Sequence, residues 1–586
     1  MTVVLATWLT GCFADRVEVV RQEVAQLEAE LVQLRREQTE LLALLDSVPP
    51  PTQAVRHDLF PEGYDANAPL PSGHPRRPDV VLLSIDTLRA DHLGSYGYTR
   101  DTSPFLDRLA AEGVRFTEAW SPAPWTLPSH ATLLSGQLPQ RHGAIEDHLR
   151  VADDVPRLPE AFRRAGYRTA GVVATLYVSS RYGFDRGFEH FEDFGILDKA
   201  ENQLSVVDAD HVFAHALAFA QRQNEGQPLF LFLHVYDVHY GYDAPPPFNT
   251  MFDRAPEWGD EKYRSYAVYQ RRMIDADQLV HQIAQYDEEI RFVDHAFEAF
   301  LSAFSKAGRD VLVAVTADHG EEFGERGSWG HGHTLWPEQL HVPWILHGPG
   351  VQPAVVDIRV GLEDISATLA DLSGVRFATA DGQSRARLVR GQRARSSHEA
   401  AQLASTSRFH TLQFRWHEGQ DDLYVDMPRK TRALCDRSVD PNCRTNRYRQ
   451  EAARGQALFQ GLIGKLGQPW KALRDGTVVV DEGIAFRGTE RHNTRFDVTS
   501  GDRFLVVPGD ARVIFQAADG TKEGPYRPLG GTVPGRGCGL SFDGRAVVGA
   551  ELPPSDAERE MLRQLGYLQE EPSYSGEDGD GPVDCG

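Results

Sequence analysis

An α/β fold, with a mostly parallel sheet sandwiched by helices, is predicted for the middle of this chain by three observations. Apolar runs of strand length recur at 79–86, 167–173, 228–236 and 310–317. Segments with helical character lie between them, at 158–166, 208–222 and 277–307. The alternation of the two implies parallel strands joined by crossover helices that cover both faces of the sheet. Ser103 and Pro104 open one further helix, expected to end at Gly113. Ligand chemistry in such a fold gathers at the carboxyl ends of the strands.

Composition frames what this fold can do. With 586 residues, 41% of them hydrophobic and 10% aromatic, the chain can bury a large core and hold more than one domain. A formal net charge of −23 argues against nucleic acid as a partner, because phosphate backbones are held by clustered Lys and Arg. An anionic substrate must then be drawn in locally, and a bound cation supplies such a local potential inside an acidic protein.

At the N-terminus, Leu9, Thr10, Gly11 and Cys12 resemble the lipobox of bacterial lipoproteins, which makes 1–12 a signal segment and Cys12 a lipidation candidate. No Lys or Arg precedes Leu9, a departure from the usual signal. The resemblance implies a bacterial cell envelope location, extracytoplasmic and anchored to the membrane by lipid. Within 13–48, Val17, Val20, Val24, Leu27, Leu31, Leu34, Leu41 and Leu45 follow a heptad pattern, which predicts a coiled-coil helix and hence a homo-oligomer. A single amphipathic helix packed on the body is the alternative. Pro49 to Pro51 stop that helix, and 49–78 reads as a linker.

The catalytic domain is expected at 79–374. Beyond it, 375–568 breaks into shorter, Gly-punctuated segments with hairpins at 477–507 and 511–548, so a smaller C-terminal α+β region is expected, followed by an acidic tail at 569–586. With Cys12 set aside, Cys435, Cys443, Cys538 and Cys585 remain as disulfide candidates in an oxidising compartment. The short loop around Asp440 and Pro441 favours Cys435 with Cys443.

Three segments carry candidate chemistry. Asp86 ends an apolar strand, where a carboxylate either caps the next turn or serves a site. Asp318 and His319 end another, and offer an oxygen and an imidazole to one divalent cation, Mn, Ca, Mg or Zn. Thr126, two residues before Pro128, is expected just before a helix running to about Gly136, either as its N-cap or as a hydroxyl at an anion site. Coordination to a metal would make that hydroxyl a nucleophile. His239, His331 and His333 are candidates to handle protons, with His341 and Glu321 behind them. Asp237, His239 and His331 are candidates for a second cation.

The run 124–136 is similar to the sulfatase signature of the alkaline phosphatase superfamily, in which Cys or Ser, x, Pro, x, Arg precedes an apolar run ending in Thr and Gly. In the family's order, 86–94 resembles the first metal motif, and Asp237, Val238 and His239 with 245–248 resemble the Asp-Pro-His segment. The segments 316–321 and 330–343 resemble the second metal motif and the loop after it. The resemblance implies a hydrolase of sulfuric or phosphoric esters with one divalent cation on Asp86, Asp318, His319 and Thr126.

Several positions depart from the family pattern. Thr126 stands where Cys or Ser is converted to formylglycine, which implies a Thr nucleophile and no formylglycine. Thr87 replaces the second Asp and His319 the usual Asn. His130 takes the place of the Arg that holds nucleophile and substrate. This set is closer to phosphoryl-transferring relatives, including the lipoteichoic acid synthase and phosphoethanolamine transferase branches. A Thr ester must be resolved by water or another acceptor, so transfer of a phosphoryl head group competes with hydrolysis. The expected substrate is a sulfated or phosphorylated glycan, lipid or small molecule, and an inactive glycan-binding scaffold is the non-enzymatic alternative.

Overall fold

The computed structural model describes residues 60–147, 149–194, 207–252, 276–392 and, with short breaks, 402–542. Cys12, the coiled-coil segment, Cys538, Cys585 and the acidic tail lie outside them. Among the described residues no helix is long and apolar enough to cross a membrane.

The described chain runs through β1 (Asp79–Ile85), α1 (Pro104–Glu112), β2 (Val114–Trp120), α2 (Thr126–Ser135), α3 (Leu158–Arg164), β3 (Arg168–Val173) and β4 (His190–Glu192). It continues through α4 (Ala209–Gln221), β5 (Leu229–Val235), α5 (Ala276–Lys306), β6 (Val311–Thr316), β7 (Glu322–Phe323) and β8 (Trp329–Gly330). Then come α6 (Pro337–Leu340), β9 (His341–His347), β10 (Ala354–Gly361) and α7 (Glu363–Leu372). Eight of the strands form one sheet in the order β10-β2-β9-β6-β1-β5-β3-β4. All neighbours are parallel except β9, which runs against β2 and β6.

β1 and β5 are buried along their whole length, as strands covered on both faces must be. Aromatic stacking ties α3 to β5 through Phe162 and Phe230, whose rings lie 4.3 Å apart. The sequence-based pattern missed β2 and β9, and in β2 the polar residues Arg115, Thr117 and Glu118 interrupt the apolar run.

Three local expectations are corrected. The cap of α1 does not come from Ser103, whose hydroxyl bonds Asp107; the Asp294 carboxylate on α5 accepts the Phe105 and Leu106 N–H groups at 3.1 and 2.8 Å. Thr126 is the first residue inside α2, with Trp125 at the N-cap. Residues 60–78, expected as linker, pack on the body: Leu70 is buried, Arg309 donates to the carbonyls of Pro71 and Ser72, and Gln221 donates to those of Asp65 and Ala68.

The C-terminal region opens with an antiparallel sheet, β11 (Gln402–Thr406), β12 (Gln413–Glu418), β13 (Asp421–Asp426) and β14 (Thr431–Asp436), against which α8 (Ala452–Leu466) packs. Small antiparallel sheets follow between 470 and 542. Cys435 and Cys443 form a disulfide. The first sheet touches the body where Thr406 donates to the Gly332 carbonyl (3.1 Å) and Gln413 to that of His333 (3.2 Å).

Candidate active site

Strand register builds the centre of the site. Ser84 on β1 pairs with Thr316 on β6, and each strand carries its aspartate two residues further on. Asp86 and Asp318 therefore leave the sheet side by side at its carboxyl edge, where helices no longer cover the backbone. His319 follows, and the first turn of α2 brings the Thr126 hydroxyl within 3.3 Å of His319 Nε2. One ligand atom from each of Asp86, Asp318 and His319 lies within 4.8 Å of the others, and all three residues are fully buried.

The donor set fits a cation. His319 Nδ1 lies 3.0 Å from the Gly320 carbonyl, which can only accept, so Nδ1 carries the hydrogen and Nε2 presents a lone pair. That lone pair faces Asp318 Oδ2 at 3.3 Å and Asp86 Oδ1 at 3.6 Å. Neither of those oxygens has a hydrogen-bond donor. Three electron-rich atoms facing one another in a buried space are costly unless a cation lies between them. Burial first, and then the charge of Glu321, pushes the Asp86 carboxyl well above its ordinary range; burial and then Asp86 do the same to Asp318. Burial, with His331 beside it, holds His319 neutral by pushing its pKa well down. The N-terminal turn of α2 abuts this set, and its dipole favours an anion there.

Two histidines hold the donors from behind. His130 Nδ1 meets the Thr126 carbonyl and Nε2 the Ser84 hydroxyl, both at 2.9 Å, and burial followed by His234 keeps the ring neutral. The expectation that His130 contacts substrate is corrected, because the ring is fully buried and both nitrogens are engaged by the protein. His234, which the sequence reading missed, accepts the Ala174 N–H at Nδ1 and so donates from Nε2 to Asp86 Oδ2 at 3.2 Å. Its signal in the sequence is a lone His in an otherwise apolar strand.

Thr87 sits in the left-handed region at φ 55°, a strained conformation for a β-branched residue. Its N–H donates to Asp318 Oδ1 (3.3 Å), and its hydroxyl turns away to the Val238 carbonyl (2.7 Å). Tyr286 on α5 donates to the Thr87 carbonyl at 2.9 Å and accepts the Arg89 N–H at 2.8 Å, which clamps the turn. Tyr286 and Arg89 were likewise not singled out in the sequence.

Across the donors, His331 Nδ1 lies 3.2 Å from Glu321 Oε1, and its ring centroid is 4.5 Å from that of His319 and 4.9 Å from that of His239. His239 Nε2 meets the Tyr236 hydroxyl at 3.1 Å. His333 Nδ1 meets the His331 carbonyl at 3.0 Å; burial opposes its charge, but the bond to Glu322 and that carboxylate's field raise its pKa. The second-cation trio does not assemble among the described residues, since Asp237 Oδ1 accepts the Ala209 N–H at the start of α4. His341 lies elsewhere, bonded to the Thr117 carbonyl and stacked on Trp120.

Paired strand-edge carboxylates, an imidazole and a hydroxyl at a helix N-terminus define a hydrolase of the alkaline phosphatase-like class. The chain belongs to the sulfatase family, whose members are sulfuric ester hydrolases: the family model described as Sulfatase matches residues 78–375. Among its relatives, a Delta 4,5-hexuronate-2-O-sulfatase of Bacteroides thetaiotaomicron is 24% identical over 68% of this chain and 91% of its own length. An arylsulfatase of Clostridium perfringens is 23% identical over 51% of this chain and 75% of its own. Among solved structures, a 2-O GAG sulfatase superposes with a TM-score of 0.54 at 21% identity, covering 67% of this chain and 92% of that one. A phosphonate monoester hydrolase of Agrobacterium radiobacter also reaches 0.54, at 18% identity over 66% and 95%.

Family membership corrects one expectation. The sequence reading had the site work with no formylglycine, whereas sulfatases with this likeness typically pair that modified residue with a divalent metal.

Proposed function

We propose that the protein hydrolyses sulfate esters on glycans, with Thr126 as the attacking residue and Asp86, Asp318 and His319 holding a divalent cation. One observation carries this: two carboxylate oxygens without donors, an imidazole lone pair and a hydroxyl converge in a buried space at a helix N-terminus. When bound, such a cation lowers the pKa of a neighbouring hydroxyl and offsets charge on the ester group.

The chain's own residues do the rest. Thr126 Oγ1 forms a bond to sulfur as the bond from sulfur to the glycan oxygen breaks, and the hydroxyl proton leaves to solvent. The first turn of α2 stabilises negative charge on the transferring group. His331, oriented through Nδ1 by Glu321, protonates the departing oxygen, and His239 beside it holds that oxygen. Water then attacks sulfur as the bond from sulfur to Thr126 Oγ1 breaks; one proton of the water returns to His331, the other goes to the Thr126 oxygen, and sulfate is released. His333 and the C-terminal sheet that touches its carbonyl border the leaving-group side.

Glycan substrates are favoured by the hexuronate sulfatase relative and by a neighbouring structure, at TM-score 0.52 and 17% identity, that is in complex with D-glucosamine-2-N,6-O-disulfate. Hydrolysis or transfer of phosphorus esters is the second possibility, favoured by His319 in the donor set and by the likeness to phosphonate monoester hydrolase. An assay of aryl sulfate, aryl phosphate and bis-aryl phosphate, each with and without chelator, separates them. Chelator-sensitive turnover greatest on the sulfate is expected; a faster phosphate or diester would replace the sulfate reading. Attachment through Cys12 and oligomerisation through 13–48 complete the proposal, tested by detecting a lipid thioether and by the mass of the full chain in solution.

A further inference from the structure

Outside the donor cluster lies a cavity of about 340 Å³, lined among others by Arg326, Trp336, Cys443, Arg444, Thr445 and Asn446. That volume is at the lower end of the range for small-ligand sites and suits one sugar ring. Its walls are preformed. Arg326 pairs through Nε with Glu338 (3.1 Å), donates to the carbonyls of Cys443 (3.0 Å) and Asn442, and lies over the Trp336 ring. The disulfide from Cys435 holds Cys443, and the Asn446 amide is fixed by the Leu434 N–H and the Arg432 carbonyl.

One side chain, Arg444, selects the occupant. Glu338 is the carboxylate between two guanidinium groups, with Oε2 facing Arg326 and Oε1 at 3.3 Å from Arg444. Asp440, which accepts the Arg444 and Thr445 N–H groups at 3.1 and 2.8 Å, offsets the second positive charge, so the wall is balanced and its positive potential is local to the half-exposed Arg444 side chain. Arg444 Nη1 donates to the Glu325 carbonyl at 2.9 Å and Nη2 faces Glu338, and the N–H groups that these contacts leave over match a carboxylate or sulfate.

The cavity and the proton-handling histidines share one segment. Arg326 lies between Glu321 and His331, Trp336 follows His333 by three residues, and Gln339 beside Glu338 accepts the Gly332 N–H at 3.0 Å. Resting on the glycan sulfatase function proposed above, we propose that this cavity is a subsite for an anionic sugar ring adjoining the ring that bears the scissile ester. Arg444 meets that ring's carboxylate or sulfate.

Calorimetric titration of the full chain with an unsulfated uronate disaccharide, a neutral disaccharide carrying one sulfate, and the uncharged disaccharide tests this. At least one charged probe should bind about tenfold more tightly than the uncharged one, and which of them does so tells carboxylate from sulfate. Arg444→Gln should remove the preference. Thr445→Trp, which fills the cavity from an exposed position, should abolish binding of the preferred probe, and both variants should keep aryl sulfate turnover within about twofold of wild type. No preference in the wild type, or unchanged binding in Thr445→Trp, overturns the subsite. Wild type that binds the probes through Arg444 but never cleaves aryl sulfate overturns the proposed reaction instead.

Discussion

The Thr126 hydroxyl lies 3.3 Å from Nε2 of His319, although 193 positions separate the two residues in the chain. If Thr126 is the attacking group, Thr126→Ala should lose at least about two orders of magnitude in kcat, whereas Thr126→Ser keeps a substantial part. The residue makes no N-cap bond, so the stability cost of either variant should be about 1 kcal/mol or less. Acid quenching with a slow substrate should leave a covalent adduct on the peptide that contains residue 126. An active Thr126→Ala variant with no adduct in the wild type leaves direct attack by water.

Asp86→Asn and Asp318→Asn each remove a charge from the donor set and should lose the cation, read by elemental analysis after dialysis, while circular dichroism shows the fold retained. Full metal stoichiometry in either variant rejects the assignment. In cation-free protein both carboxyls have raised pKa values, so folding favours their protonated forms. Their stabilising contribution is present at acid pH and is lost as pH rises through the raised values. A cation offsets that loss, so the fall in Tm caused by chelator should be larger near about pH 8 than near about pH 5.

Asp422 is fully buried among Arg415 at 2.6 Å, His417 at 2.8 Å and Arg359 at 3.4 Å, and Arg359, Arg415 and Arg437 all lie over the Trp120 ring. Asp422→Asn leaves the buried Arg415 without its carboxylate, while Glu118 still pairs with Arg359 and Arg437, and should cost roughly 3 kcal/mol in a urea melt at neutral pH. Burial alone would raise the Asp422 pKa, but Arg415 and Arg359 hold it well below the usual range. A lowered pKa gives stability above the unfolded-chain value that disappears on acidification, so the gap between wild type and variant should narrow below about pH 4.

Tyr286→Phe removes the hydroxyl that bridges the Thr87 carbonyl and the Arg89 N–H, leaving two buried backbone groups without this partner. The expected cost is about 1–3 kcal/mol in stability. A strained Thr87 freed of its clamp should also loosen Asp318, so metal affinity should fall more than in a control variant of equal stability loss. Unchanged affinity would make Tyr286 purely structural.

Much of the site's outline was legible locally. Asp86, Asp318 and His319 stand where apolar strands stop, and Thr126 stands two residues before Pro128, a residue suited to a first helical turn. His234 was not legible as a partner of Asp86, because a single polar residue in a buried strand does not reveal what it faces. Nor was the Asp294 cap of α1, which a local reading assigns to Ser103 although the accepting carboxylate lies 188 positions from the Leu106 amide. The burial of Leu70 and the anchoring of 60–78 by Arg309 and Gln221 were hidden in the same way behind a Pro-rich composition.

By itself the sequence determined where β1, β3, β5 and β6 and the helices between them run, and where those buried stretches end. Burial on both faces demands a mostly apolar run in a strand such as Asp79–Ile85, whose two polar residues, Asp79 and Ser84, are bonded to Arg309 and His130, and the first carboxylate after it marks the sheet's edge. Only the tertiary structure decided which edges meet. The parallel register that sets Ser84 against Thr316 turns two distant strand ends into one pair of carboxylates. It also aims His319 Nε2 at them, and it turns the Thr87 side chain toward Val238 and away from the donors. These outcomes depend on hydrogen bonding between strands far apart in the chain, which no local pattern of residues encodes.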